Sequence, residues 1–323
     1  MNPQLLDAVN AQWNSRTKPV GSLGRLEDLA REYCLMRGEV LPRIEKQGLY
    51  LFAGDHGITE EGVSLYPKAV TAQMLANFQA GGAALNVLAR LHGVSVHIVD
   101  AGVGAGTRNF AREAAMTEQE CAVKLAEGQE DARLAAGAYQ LVGVGEMGIG
   151  NTTSAAAILA ALGGYSGAEV AGRGTGLDAD GVSHKAQVID AALDLHELRG
   201  ATPQRVLACV GGFEIARMTG FLLECARLHL PVMIDGFITS AAALVAMKFE
   251  ARARDFFFFS HQSAEKGHRL MLELLDGDPL LELGMRLGEG TGAILGMHLL
   301  HCAMKLYEEM ASFESAAVSR SES

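Results

Sequence analysis

The stretch GVGEMGIGNTTSAAA, residues 143–157, decides how the chain folds. It leaves a short apolar run and ends in a row of alanines. Read physically, a strand stops, glycines turn the chain, and a helix starts on Asn151, Thr152 and Thr153. Asn and Thr side chains accept the free N–H groups of a helix start. Such a start also offers donors and a partial positive charge to an anion. Glycine lets backbone come close to a ligand where a side chain would block it. The junction therefore reads as a phosphate seat made by Gly148, Ile149, Gly150, Asn151 and Thr152. No Gly-Lys-Ser/Thr follows, so it is not a Walker loop, and Gly145-x-x-Gly148-x-Gly150 only approaches a dinucleotide turn.

Outward from this junction a rhythm appears. Apolar β-type runs lie at 48–52, 94–99, 139–144, 206–210, 232–234 and 256–259, with helical material such as 70–91 and 153–162 between most of them. Continuous apolar strands alternating with helices predict an α/β fold whose parallel sheet is covered on both faces. Each run ends on small or polar residues: Asp55-His56-Gly57, Asp100-Ala101-Gly102, Glu146-Met147-Gly148, Gly212-Phe213-Glu214, Asp235-Gly236 and Ser260-His261. Core packing does not require that pattern. Ligands of open α/β sheets bind outside the carboxyl ends of the strands, so these ends are the expected site. Helical spacing also marks residues 1–46, around a turn-rich linker whose Lys18 is expected to meet water. Residues from about 278 return to helix and finish in a polar tail.

Composition narrows the class. The chain has 323 residues, 49% of them apolar, with 38 glycines and 7 prolines, which suits a helix-rich α/β enzyme. A net charge of −11 and the lack of a basic stripe argue against nucleic acid as a partner. The five cysteines, Cys34, Cys121, Cys209, Cys225 and Cys302, are scattered without a CxxC, and read as buried, reduced thiols of a cytoplasmic protein. The first residues lack the pattern of a signal peptide, and no apolar run is long enough to span a membrane.

Further loops carry candidate chemistry. Gly172-Arg173-Gly174 sets an arginine fork between glycines, which suits a phosphate or carboxylate, and Lys185 follows as a second cation. Arg286-Leu287-Gly288-Glu289-Gly290-Thr291-Gly292 sets a carboxylate between glycines. Glu289 reads two ways here, as a residue favoured by a helix dipole or as a general base. Asp55-His56 reads as a loop-ordering pair, because no further His or carboxylate stands at metal-ligand spacing. Glu265 and His268, three apart, read as one hydrogen-bonded or solvated helix face.

The loops as a set resemble one family, nicotinate-nucleotide–dimethylbenzimidazole phosphoribosyltransferase. The matching text is KPVGSLGRLE (18–27), AGDHGITEEGVSLYPKAVTAQM (53–74), GGAALNVLAR (81–90), GEMGIGNTTSAAA (145–157), GRGTGLD (172–178), GGFEIARMTG (211–220), DGFITSAAAL (235–244), SHQSAEKGH (260–268) and RLGEGTGA (286–293). The blocks run in family order over nearly the whole chain. The resemblance implies a Rossmann-like, mostly parallel sheet of six strands flanked by helices, in agreement with the six runs above. It implies a large domain at 30–277 and a smaller helical part from both termini, 1–29 and 278–323. It implies transfer of phosphoribose from nicotinate mononucleotide to 5,6-dimethylbenzimidazole in cobalamin assembly, with inversion at the anomeric carbon, neither metal nor cofactor, and a homodimer.

By the same resemblance Glu289 falls on the catalytic carboxylate, which takes the proton from the benzimidazole nitrogen. Gly148, Ile149, Gly150, Asn151, Thr152, Gly172, Arg173 and Gly174 would hold the phosphate, with Glu146 and Lys185 near ribose or nicotinate. Ser64, Tyr66, Gln73, Met74 and Leu287 would line the acceptor pocket. The rival readings are the same transfer to adenine, benzimidazole or a phenolic base, and a non-catalytic nucleotide-binding protein, which the intact Glu289 speaks against. A dehydrogenase is disfavoured because the first strand ends in AGDHG.

Overall fold

The computed structural model describes residues 3–319. Two helices, α1 (Pro3–Ser15) and α2 (Arg25–Arg37), precede β1 (Gln47–Gly54). Then come α3 (Val70–Ala80), α4 (Ala84–His92), β2 (Ser95–Gly102), α5 (Glu118–Ala138) and β3 (Leu141–Met147). The chain continues through α6 (Asn151–Gly163), α7 (Gly167–Val170), α8 (Ala179–Leu195), α9 (Pro203–Val210) and α10 (Phe213–Arg227). It ends with β4 (Val232–Ile234), α11 (Phe237–Phe249), β5 (Phe257–Phe259), α12 (His268–Leu274) and α13 (Thr291–Glu309). The polar tail at 320–323 lies outside the described residues.

The strands form one sheet in the order β2-β1-β3-β4-β5, and every pairing is parallel. Leu49 of β1 pairs with Val96 on one side and Gly143 on the other. β1 and β3 are buried at every position, which is why they read as continuous apolar runs. Alternation splits them between two cores. Tyr50 and Phe52 face the layer that contains α6, α10 and α11, while Leu49 and Leu51 face α1, α2 and α13. Trp13 packs on Tyr307 with ring centroids 4.9 Å apart. Arg16 donates to the carbonyls of Tyr307, Glu308 and Met310, and so closes the end of α13. Lys18 is not in water: its ammonium lies 2.6 Å from Glu27 and over the Trp13 ring.

The sheet has five strands, not the six expected. Residues 206–210 belong to α9 instead. Thr202 accepts from the Arg205 N–H at 3.3 Å, and Pro203 occupies the first turn. This start signal outweighs the short apolar run that follows it. β3 and β4 meet directly, with Val142 opposite Val232, so no gap is left for a sixth strand. The carbonyls of Ala208 and Cys209 instead accept from the N–H groups of Met116 and Ala115.

The strand order reverses between β1 and β3, since the chain first adds β2 on one side of β1 and then β3 on the other. Such a switch point opens a crevice at the carboxyl ends of the two strands. Among the described residues no helix is long and apolar enough to cross a membrane.

Candidate active site

A cavity of about 540 Å³ opens at those carboxyl ends. Gly148 and Ile149 line it from the loop after β3, Asn151 and Thr152 from the start of α6, and Gly174 and Thr175 from the loop before α8. The 148–150 turn is held from outside. Ile149 N–H donates to Thr71 Oγ1 at 3.2 Å. A Cβ on Gly148 would stand 2.5 Å from the Gly54 carbonyl and 3.3 Å from the His56 ring, so a side chain there would drive the loop off β1.

His56 is fully buried and ties the region together: Nε2 lies 2.7 Å from Glu214 and Nδ1 3.1 Å from Ser154 Oγ. Asp55 accepts from the Gly104 N–H at 2.7 Å, which orders the loop after β2.

The polar residues at the start of α6 do not cap it as expected. Gly150, at φ 96°, is the N-cap. Asn151 donates to Glu146, and Thr152 accepts from Lys185 at 2.7 Å. Lys185 is fully buried beneath Thr152, and burial lowers its ammonium to about 8 despite the charge of Glu265. A helix start without a side-chain acceptor, with a buried ammonium at its first turn, suits an anion.

Two carboxylates face the same space. Glu146, at the end of β3, is pushed up to about 8, first by burial and then by the charges of Asp235, Glu214 and Glu289; Asn151 opposes the shift. Glu289 is raised to about 7 by burial and, secondarily, by Asp235. Its loop presses on β3, with a Cβ on Gly145 only 2.6 Å from the Gly290 nitrogen. Glu289 itself has φ 60°, a left-handed conformation that costs a side-chain-bearing residue about 1–2 kcal/mol. Behind it stands Asp235, whose own carboxyl is raised by burial and pulled back by His261 and the N–H groups at the start of α13.

Tyr66 and Leu287 line the cavity mouth and are about half exposed, with Met74 and Val70 beside them. Ser64 sits next to this rim, its Oγ 3.2 Å from Thr175 Oγ1. Gln73 is exposed on α3, outside the lining. Gly150 packs on Thr59 and His56. Gly172 and Arg173 border a neighbouring cleft of about 730 Å³, which shares Glu265 and Arg286 with the central cavity.

Sequence reasoning gave no site role to Ser263, Glu265 or Arg286, which lie on the lining with His261. The strand-end pattern pointed at His261, but 261–267 is a turn and not a helix face. Within it the Ser263 N–H donates to His268 Nδ1 at 2.8 Å, which leaves the proton on Nε2 to face Ser240 Oγ at 3.0 Å. Burial, with His261 adding, lowers His268 to about 3. The cysteine reading also changes at one position: all five are free, but Cys302 is half-buried.

A family model described as phosphoribosyltransferase matches residues 1–318, so the chain is a phosphoribosyltransferase. Among its relatives is the nicotinate-nucleotide–dimethylbenzimidazole phosphoribosyltransferase of Pseudomonas putida, 48% identical over 97% of this chain and 94% of that protein. The enzyme of the same name from Geobacter sulfurreducens is 46% identical over 98% and 95%. The crystal structure of CobT from Thermus thermophilus superposes with a TM-score of 0.93 at 40% identity, covering 99% of this chain and 100% of that one. The chain belongs to the nicotinate-nucleotide–dimethylbenzimidazole phosphoribosyltransferase family.

Proposed function

We propose that this enzyme transfers phosphoribose from nicotinate mononucleotide to 5,6-dimethylbenzimidazole, giving α-ribazole 5′-phosphate and nicotinate for the nucleotide loop of cobalamin. The observation that carries this reading is Glu289, a buried carboxylate raised to about 7 on the wall of the cavity that also holds the 148–152 turn. A base of that proton affinity works near neutral pH. One azole nitrogen attacks the anomeric carbon while the other gives its proton to Glu289. The bond to nicotinate breaks, and its electron pair quenches the positive charge on the pyridine ring, so departure needs no strong acid.

In this reading the helix start at Asn151, with Thr152, Gly174 and Lys185, anchors the phosphate, and Arg173 approaches from the neighbouring cleft. Anchoring fixes the ribose for attack, which is a proximity effect. Glu146 sits beside the ribose. Tyr66, Met74 and Leu287 make the apolar acceptor wall, with Ser64 and Gln73 at its rim. The names of the relatives support dimethylbenzimidazole over the other bases.

The division into 30–277 and a helical part from both termini belongs to the same proposal, supported by the contact of Trp13 with Tyr307. So does a homodimer, supported by exposed Val87 and Leu91 one turn apart on α4. A cytoplasmic setting is supported by the five free cysteines. The test is product analysis. Incubation with both substrates should yield nicotinate and the α-anomer of the benzimidazole ribotide by proton NMR. Formation of the β-anomer, or of no ribotide, would reject the reading.

A further inference from the structure

Glu289 stands at φ 60° between Gly288 at 76° and Gly290 at 77°. A side-chain-bearing residue inside such a run persists only where its surroundings over-determine it. Here the hold comes from behind. Asp235, 2% exposed at the end of β4, accepts from the Gly290 N–H at 3.0 Å through Oδ2 and from the Ala293 N–H at 2.9 Å through Oδ1. Gly292 leaves room for this approach, since a Cβ there would stand 2.8 Å from Oδ1. Thr291 closes the turn from within, its hydroxyl donating to the Gly288 carbonyl at 2.8 Å. Asp235 is not on the cavity lining. It meets substrate only through what it holds.

We propose that Asp235 is a positioning residue for the transfer: it fixes the left-handed loop that aims Glu289 and keeps a negative charge behind that carboxylate. The charged and titratable groups that share the cavity wall with Glu289 are Glu146 from β3, Tyr66 at the mouth, His261 and Glu265 after β5, and Arg286 on its own loop, with Asp235 from the end of β4 behind it. His261 from the end of β5 also approaches Asp235, with Nε2 3.8 Å from Oδ1. Asp235 disfavours a charged Glu289, and so favours its uptake of the azole proton. This inference rests on Glu289 being the base.

The experiment compares pH profiles of kcat/KM for wild type, Asp235→Asn and Thr291→Val, with Glu289→Gln as control. Asp235→Asn keeps the shape but removes the charge, and presents an amide N–H2 to an N–H donor. Its acid limb should move down by about one pH unit, as expected for a lost like charge. Its kcat should fall roughly 10- to 100-fold from lost aim, with the donor KM within about threefold of wild type because the phosphate turn is held elsewhere. Thr291→Val loosens the loop without touching charge, so its kcat should fall while the limb stays. Asp235→Ser, which still accepts one N–H, replaces Asp235→Asn if that variant does not fold. An acid limb unmoved in the Asp235 variant, or wild-type kcat in both loop variants, overturns the proposal. Glu289→Gln at wild-type turnover would instead reject the reading of Glu289 itself.

Discussion

Glu146 makes the residue scale concrete, because its carboxyl is raised to about 8 from an ordinary 4.5. A carboxyl raised in the folded state contributes stability that is present below the unfolded value and is lost as pH climbs toward the folded one. Between about pH 4.5 and 8 this group should therefore weaken the fold as pH rises. Glu146→Gln removes that slope while keeping an oxygen for the Asn151 amide. Thermal melts should show the variant gaining on wild type from pH 5 to pH 8; a constant difference across that range would count against the assignment. Glu289 stands out in the sequence because flanking glycines announce an unusual turn, while its role as base comes only from the family resemblance. Asp235 reads only as a polar strand end; its hold on this loop was not legible, since the bond to Gly290 joins residues 55 apart.

At the scale of elements, α5 and α10 touch backbone to backbone. A Cβ on Gly128 would lie 1.8 Å from the Arg217 carbonyl, and one on Gly220 2.0 Å from the Leu125 carbonyl. Propensity alone says Gly→Ala should stabilise a helix by roughly 0.5–1 kcal/mol. The clash is with backbone, which cannot swing aside, so overpacking wins. Gly128→Ala should destabilise by about 1–3 kcal/mol or more in urea titrations, and a stabilised variant would refute the packing. Local signals explain what was read well and badly. The runs at 48–52 and 141–144 are central strands because they are apolar throughout, and the strand starts only after Tyr139 and Gln140. The run at 206–210 looked alike, and only Thr202-Pro203 before it marks a helix start. Similarly, Glu265 and His268 have helical spacing, but α12 begins only at His268.

The whole molecule places its parts by the strand-order reversal between β1 and β3. That reversal gathers the 148–152 turn, the 172–176 loop and the 286–290 loop at one end of the sheet. Parallel α/β architecture was legible from alternation, and the site's location followed from the strand ends. Which loop faces which cavity was not legible, because Arg173 and Gly174 adjoin in sequence yet face different spaces. Donor binding should tie the ends of β1 and β3 together. Nicotinate mononucleotide at about a hundred times its Kd should add about 2.7 kcal/mol of stability. Lys185→Met should lose most of that gain by weakening the phosphate seat, and an undiminished gain would remove Lys185 from it.

The central claim is that Glu289 is the base of the transfer, and Glu289→Gln tests it most directly. Donor affinity by calorimetry and turnover with 5,6-dimethylbenzimidazole should be measured on the same preparation. The account predicts binding within a few-fold of wild type and turnover lower by roughly 10²- to 10⁴-fold, the usual worth of a positioned base. A folded Glu289→Gln enzyme that binds donor and turns over within a few-fold of wild type would contradict it.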